Sequence, residues 1–166
     1  LKKQTRAETE GWISLSKEPL VSAEHEADTY FDLEGDPFSR IEYLWGIVKD
    51  GQFNGQFAHD KESEHQAYRD FIDDALARHE RGGTCYHYGH YEMTALRRLA
   101  AETSYKEFEL EQIRFVDLYK LVKRSMIVPG GYSLKKVEKL YRSSREGVAD
   151  AASSVVVYEA WLHDQD

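Results

Sequence analysis

Apolar and polar positions alternate along the chain with a period of two, then switch to the spacing of helices. Residues 29–34 set Phe31 and Leu33 on one side and Tyr30, Asp32 and Glu34 on the other, the repeat of a strand. Gly35, Asp36 and Pro37 supply a stop. Residues 41–49 are rich in aromatic and β-branched side chains and predict a second strand. Asp50-Gly51 after it is a two-residue hairpin signal. Residues 52–59, with Phe53 and Phe57, return as a third strand. Asp60 suits a helix N-cap. Ala67, Tyr68, Phe71, Ile72, Ala75 and Leu76 then recur at helical spacing. The other face of that helix reads as acidic, with Glu62, Glu64, Asp70, Asp73 and Asp74, and Gly82-Gly83 closes it.

Residues 84–88 predict a short fourth strand, and 92–103 a helix with Met93, Leu96, Leu99 and Ala100 inward. Further helical stretches fall near 107–113, 116–125, 133–142 and 152–162, with Pro129-Gly130-Gly131 separating 116–125 from 133–142. Residues 1–28 are polar and read as a tether with a short helix at its start. A hairpin-joined meander followed by a crossover helix and another strand implies a mixed α/β sheet. Its first three strands are antiparallel, later strands join in parallel, and helices flank it.

Composition narrows the class. The 166 residues are 41% hydrophobic and 13% aromatic, too apolar for a disordered chain and suited to one domain. The single cysteine, Cys85, excludes an internal disulfide and a Cys-rich zinc site, reads as a core residue, and points to the cytoplasm. No apolar run reaches the roughly 18 residues of a membrane span, and no secretory leader is visible. The first residue is Leu1 rather than Met, so a piece of a longer polypeptide is expected. The net charge is −8, yet residues 120–145 carry eight basic residues against one acid, Glu138. Such a patch on an acidic protein either meets phosphates or is a solvated helix face.

The sharpest chemistry lies in Asp32 and Glu34. Two apart on a strand, their side chains leave the same face, expected to be buried against helices. Adjacent carboxylates there repel and are costly to desolvate, and a divalent cation resolves both problems. Mg²⁺ or Mn²⁺ prefers such oxygen ligands, and two ions roughly 3.5–4 Å apart serve phosphodiester hydrolysis. The alternative is an edge strand whose acidic face is simply wet.

The run Phe31-Asp32-Leu33-Glu34-Gly35-Asp36-Pro37, heading a meander, resembles the first exonuclease motif of DEDD-type 3′–5′ exonucleases of the ribonuclease H-like fold. Tyr86-His87-Tyr88-Gly89-His90-Tyr91-Glu92 resembles the second. The likeness covers about residues 29–162 and is greatest to the YprB-type domain of RecB-family nuclease/helicase proteins. It implies a metal-dependent 3′–5′ exonuclease with a two-ion site. Asp32, Glu34 and Glu92 would be the catalytic and metal-binding acids. Glu92 departs from the usual aspartate of the second motif, and its other reading is a first-turn helix acid. The third motif's aspartate is not evident, since Asp164 sits in a polar tail, so the fourth acid and its helix are expected beyond Asp166.

Other residues carry softer readings. His87 and His90 are spaced H-x-x-H without a third ligand, which argues against zinc; either could instead contact substrate. Asp117 and Asp150 read as caps, and Trp12, Trp45 and Trp161 as packing residues. Tyr88, His90 and Tyr91 are candidates to touch or stack on bases, and Lys120, Lys123, Lys135, Lys136 and Lys139 to hold the backbone of single-stranded DNA or RNA. Two functions follow. One is a nuclease domain within a larger nuclease/helicase polypeptide, partnered by its neighbouring domains. The other is a catalytically incomplete module of the same fold that binds nucleic acid or a neighbour without cutting.

Overall fold

The fold is that of a computed structural model, which describes residues 25–139 and the backbone pairing of residues 13 and 14. A five-stranded sheet runs in the order β4 (Gln52–Phe57), β3 (Ile41–Lys49), β2 (Thr29–Asp36), β5 (Cys85–His87) and β6 (Phe115–Asp117). Its antiparallel half is a meander of β2, β3 and β4. Its parallel half adds β5 beside β2 and β6 beside β5. Helix α1 (Lys61–Glu80) makes the crossover from β4 to β5, and α2 (Tyr91–Thr103) with the single turn α3 (Glu107–Leu110) leads on to β6. Helix α4 (Leu118–Ser125), strand β7 (Met126–Ile127) and helix α5 (Leu134–Glu138) follow. The mixed α/β sheet expected from the pattern is therefore present.

Local chemistry explains the boundaries. Asp50 and Gly51 both adopt positive φ, at 53° and 70°, the backbone of a type I′ hairpin turn. Arg78 on α1 clasps that turn, its guanidinium 2.6 Å from Asp50 and 3.1 Å from Asp74. Asp60 caps α1 by accepting from the Ser63 amide at 2.7 Å, while the Ser63 hydroxyl answers the Asp60 amide. The core fills the space between the sheet and helices α1 and α2. Phe31, Leu33 and Trp45 pack there against Tyr68, Phe71, Ile72, Leu96 and Leu99, all buried. Cys85 lies in the same core, its thiol pushed up by burial to about 12.

Four expectations change. Residues 116 and 117 belong to strand β6, not a helix: Phe115 and Val116 extend the parallel sheet beside β5, and α4 starts only at Leu118, capped by the Asp117 side chain on the Tyr119 amide. The N-terminal stretch is not all tether, because Ile13 and Ser14 form β1 and pair antiparallel with Ile127 and Met126. Asp28 is also buried and accepts from the Thr84 amide at 2.9 Å, tying the chain before β2 to the entry of β5. Glu64, read as part of an exposed acidic face, is fully buried. Lastly, the acidic face of β2 is not covered by the flanking helices: α1 and α2 bury the Phe31 and Leu33 face, leaving Asp32 exposed and Glu34 half-buried. The readings at Trp12, Asp150, Trp161 and Asp164, and the helix near 152–162, lie outside the described residues.

Candidate functional site

The parallel half of the sheet builds one end of the molecule. Tyr30 pairs with Tyr86 in register, and β5 stops one residue later at His87. Strand β2 runs on to Asp36, so Asp32 and Glu34 project past the end of β5. Open parallel sheets place ligands in the crevice at the carboxyl ends of their strands. Asp32, Glu34 and Glu92 line a single cavity there of about 700 Å³. A second cavity of about 310 Å³ shares Asp32 and Glu34 and continues over Tyr30, Tyr86, His87, Tyr88, Leu118 and Leu134. Tyr30 and Tyr86 stack along its floor with ring centroids 5.0 Å apart.

The carboxylates differ in setting. Glu92 comes from the first turn of α2 and is 3% exposed. Burial pushes the Glu34 carboxyl above the ordinary range, and the charge of Glu92 pushes it the same way. Asp36, the third acid of the first motif, is a structural cap: it accepts from the amides of Phe38 and Ser39 at 2.9 Å each and shapes the turn into β3. Asp117 is likewise committed, accepting from the amides of Gly89 and Tyr119. It thereby fixes the loop between β5 and α2.

Between β2 and α2 sits a clamp that the sequence did not announce. Strand β2 shifts register between Glu34 and Gly35, so that Gly35 faces Glu42. The Tyr91 hydroxyl donates to Glu42 Oε2 at 2.7 Å directly above Gly35. A Cβ at residue 35 would lie 2.0 Å from that hydroxyl and 2.4 Å from the carboxylate, so any larger residue must push the Tyr91–Glu42 pair aside. The other oxygen of Glu42 accepts from Arg98 at 3.0 Å. Arg98 also reaches Glu64 at 2.7 Å and Glu102 at 3.0 Å. Glu64 accepts from the Glu42 amide at 2.8 Å and from Lys61 at 2.8 Å. Burial pushes the Glu64 carboxyl up, but the hydrogen bonds from Arg98, Lys61 and the Glu42 amide outweigh it and hold it below the ordinary range. The only advance sign of this network is an arginine on the α2 face opposite Leu96 and Leu99, with acids on both neighbouring elements.

The residues proposed to hold nucleic acid are spread around this end. Tyr91 keeps a ring edge exposed at the larger cavity while its hydroxyl is held by Glu42. Tyr88 lines the smaller cavity; its hydroxyl donates to the Tyr132 carbonyl and its ring meets Tyr119 edge-on. His90 is exposed just before α2, whereas His87 is buried beside Phe31 and Phe115, so the two rings do not converge. Lys120, Lys123, Lys135, Lys136 and Lys139 are all exposed on α4, α5 and the residue after it. Lys120 lies 3.4 Å from Asp117, Lys123 stands over the Tyr119 ring, and Lys136 donates to the Gly130 carbonyl. Leu118 and Leu134, from the starts of those two helices, border the smaller cavity, so the basic helices flank the acids.

Two buried polar atoms bear on how the acids suit a cation. Glu92 Oε2 and His87 Nδ1 are both buried without a hydrogen-bond partner. A carboxylate oxygen left bare in a protein interior costs about 1–3 kcal/mol or more unless something positive meets it. The donor set, two or three carboxylates beside open space, fits a hard divalent ion that also keeps waters. Asp32, Glu34 and Glu92 line a cavity and do not close into a cage. Among the described residues, three ligand atoms within 4.8 Å of one another occur instead at Glu64, His65 and Glu102. There Lys61 stands 2.8 Å and 3.6 Å from the two carboxylates, and Arg98 bonds both, so the charge is already met.

Among the described residues no helix is long and apolar enough to cross a membrane. Searches of curated proteins and of solved structures found no match to the chain. A family model described as the RNase H superfamily matches residues 29–166, from the first residue of β2 onward. Domains of that superfamily act on nucleic acids, and its nucleases generally use divalent metals. The five-stranded mixed sheet, with its antiparallel meander and two parallel strands, is the architecture such a match requires, and the chain belongs to the ribonuclease H superfamily.

Proposed function

We propose that this chain is a metal-dependent 3′–5′ exonuclease-type domain acting on single-stranded DNA or RNA. We place it in the cytoplasm, as part of a larger nuclease/helicase polypeptide of the YprB kind. The observation that carries the reading is the meeting of Asp32, Glu34 and Glu92 in one cavity at the carboxyl ends of the parallel strands, with one Glu92 oxygen buried and bare. Asp32, Glu34 and Glu92 would hold Mg²⁺ or Mn²⁺. When bound, such an ion supplies charge neutralisation at the phosphate and activates water for attack. The chain's own groups do the rest. The Tyr91–Glu42 clamp sets α2 against β2 and fixes Glu92 relative to Glu34. Asp117 holds the Gly89 loop that carries His90 and Tyr91. The stacked Tyr30 and Tyr86 line the smaller cavity beside the acids and offer aromatic surface to a terminal base. The lysines of α4 and α5 neutralise the strand's phosphates.

A second reading is favoured by one fact: the other acids lining the larger cavity are already committed, Asp36 to backbone amides and Glu42 to Tyr91 and Arg98. The described residues thus offer three acids and not four, which suits a module that grips without cutting. One experiment separates the two. A single strand labelled at either end is incubated with the protein and Mn²⁺. Release of mononucleotides from the 3′ end, abolished in Asp32→Asn, supports the exonuclease. Binding without product supports the module. Neutralising Lys135, Lys136 and Lys139 should reduce the slope of log affinity against log salt by up to about 2, at roughly 0.7 per single-strand phosphate contact. An unchanged slope would remove that face from the interface.

A further inference from the structure

The described residues leave four buried side-chain polar atoms without a hydrogen-bond partner: Thr29 Oγ1, His79 Nδ1, His87 Nδ1 and Glu92 Oε2. The last two face each other at 3.7 Å. His87 is 5% exposed and Glu92 3%. A separation of 3.7 Å is too long for a hydrogen bond. It does match the spacing of two atoms that share one ion, because ligand distances of about 2.0–2.2 Å place neighbouring ligands roughly 3–4 Å apart. His87 also lines the smaller cavity together with Asp32 and Glu34, while Glu92 lines the larger one with the same two acids. The facing pair thus borders both cavities that Asp32 and Glu34 line.

We propose that His87 Nδ1 is a metal ligand, so that the site is a mixed imidazole–carboxylate centre. This rests on the reading that Asp32, Glu34 and Glu92 bind a divalent cation. Its consequence is a choice of metal. Mg²⁺ is held through oxygen and dehydrates reluctantly, whereas imidazole nitrogen is a ligand of transition metals. A nitrogen in the ligand set tilts the centre away from Mg²⁺ and toward Mn²⁺ and the later first-row ions. Phe31 and Phe115 pack on the His87 ring, with centroids 5.8 Å and 6.4 Å away, and fix its plane. Neither the H-x-x-H spacing nor the second-motif likeness suggested this. The signal is three-dimensional: His90 turns outward while His87 turns in toward Glu92.

The test uses the full chain with Mn²⁺ as probe. Pulsed electron-spin-echo spectra of the bound ion should show nitrogen modulation that changes when histidine is labelled with ¹⁵N. His87→Asn should abolish that modulation and lower the preference for Mn²⁺ over Mg²⁺ about tenfold, measured by calorimetry. If Mn²⁺ binds the wild type and Glu34→Gln abolishes binding, yet the wild-type spectrum is insensitive to ¹⁵N-histidine, His87 is not a ligand and the carboxylate site stands without it. If the wild type binds no Mn²⁺, both the inference and the metal reading fall. The labelled wild-type measurement decides the matter even where the variant folds poorly.

Discussion

Two groups of carboxylates sit side by side on strands β2 and β3 and helices α1 and α2, and they solve the same electrostatic problem differently. In the first, Glu42, Glu64 and Glu102 gather around Arg98, with Lys61 alongside, and each acid has a cation within 3.6 Å. In the second, Glu34 is raised by burial and by Glu92, and Glu92 faces His87 without a hydrogen bond. The first group is closed on itself and locks α2 to the sheet. The second borders a cavity, and what stands opposite Glu92 there is His87 rather than an arginine or lysine. Protein interiors tolerate buried charge only where it is paired. The contrast lies in who supplies the positive charge: Arg98 and Lys61 do so in the first cluster, and in the second the proposed reading gives that part to a divalent ion.

The comparison is broken most severely at Arg98. Arg98→Ala leaves Glu42 and Glu64 buried without their shared cation and should cost about 3–5 kcal/mol in urea unfolding. A loss below about 1 kcal/mol would mean that Lys61 alone balances the cluster. The second group should respond in the opposite sense. Glu34→Gln relieves repulsion, so the metal-free variant should be at least as stable as wild type. Wild type should gain about 2.7 kcal/mol at 100 times the Mn²⁺ dissociation constant, and the variant nothing, which thermal melts will show. Equal Mn²⁺ shifts in both proteins would place the ion elsewhere.

A smaller effect sharpens the boundary between the clusters. Gly35→Ala drives a methyl into the Tyr91–Glu42 pair and should cost about 1–3 kcal/mol. Tyr91→Phe in the same chain should recover part of that loss, since the hydroxyl is the nearest atom; strict additivity in the double-mutant cycle would refute the contact.

The smallest effect is on pH dependence. Folding raises the carboxyl of Glu34 and lowers that of Glu64 relative to the ordinary glutamate value of 4.5. Above 4.5, folded Glu34 holds more proton than unfolded Glu34, so stability falls as pH rises through its raised titration. The contribution of Glu64 has the other sign, being present above 4.5 and lost as pH falls below it. In EDTA, Glu34→Gln should flatten the decline above pH 4.5 and leave the acid loss below it intact. Curves that superimpose would show that Glu34 titrates alike in the folded and unfolded chain.

Legibility followed the range of the interactions. The face shared by Asp32 and Glu34, the Asp50-Gly51 turn, the Asp60 cap and the α1 stripe were readable because each depends on residues at most a few positions apart. Strand β6 was not, because three residues cannot display a period and Phe115-Val116 suits either structure. Glu64 misled for a related reason. Local pattern puts it on a polar face, while its burial depends on Arg98, 34 positions away, and on the Glu42 amide, 22 positions away. The cavity itself was half legible. Two acids came from strand alternation and Glu92 from motif likeness, but the inward turn of His87 depends on where β5 stops relative to β2.

The split of the sheet into a contiguous meander and late-joining parallel strands also has a meaning in time. The turn at Asp50-Gly51 closes β3 on β4 over a minimal loop, and β2 adds to them through the short turn at Asp36, so these pairings cost little chain entropy. Strands β5 and β6 can join only after α1 and then α2 and α3 have been threaded between them, and contacts of that span form slowly. Asp32 and Glu34 would then be in register before Glu92 arrives, so the repulsion between Glu34 and Glu92 would weigh on the docking of α2 and not on nucleation. Substitutions in β3 should accordingly slow folding, whereas Glu34→Gln should mainly slow unfolding. A stopped-flow chevron in which Glu34→Gln instead accelerates the folding limb would reverse that order of assembly.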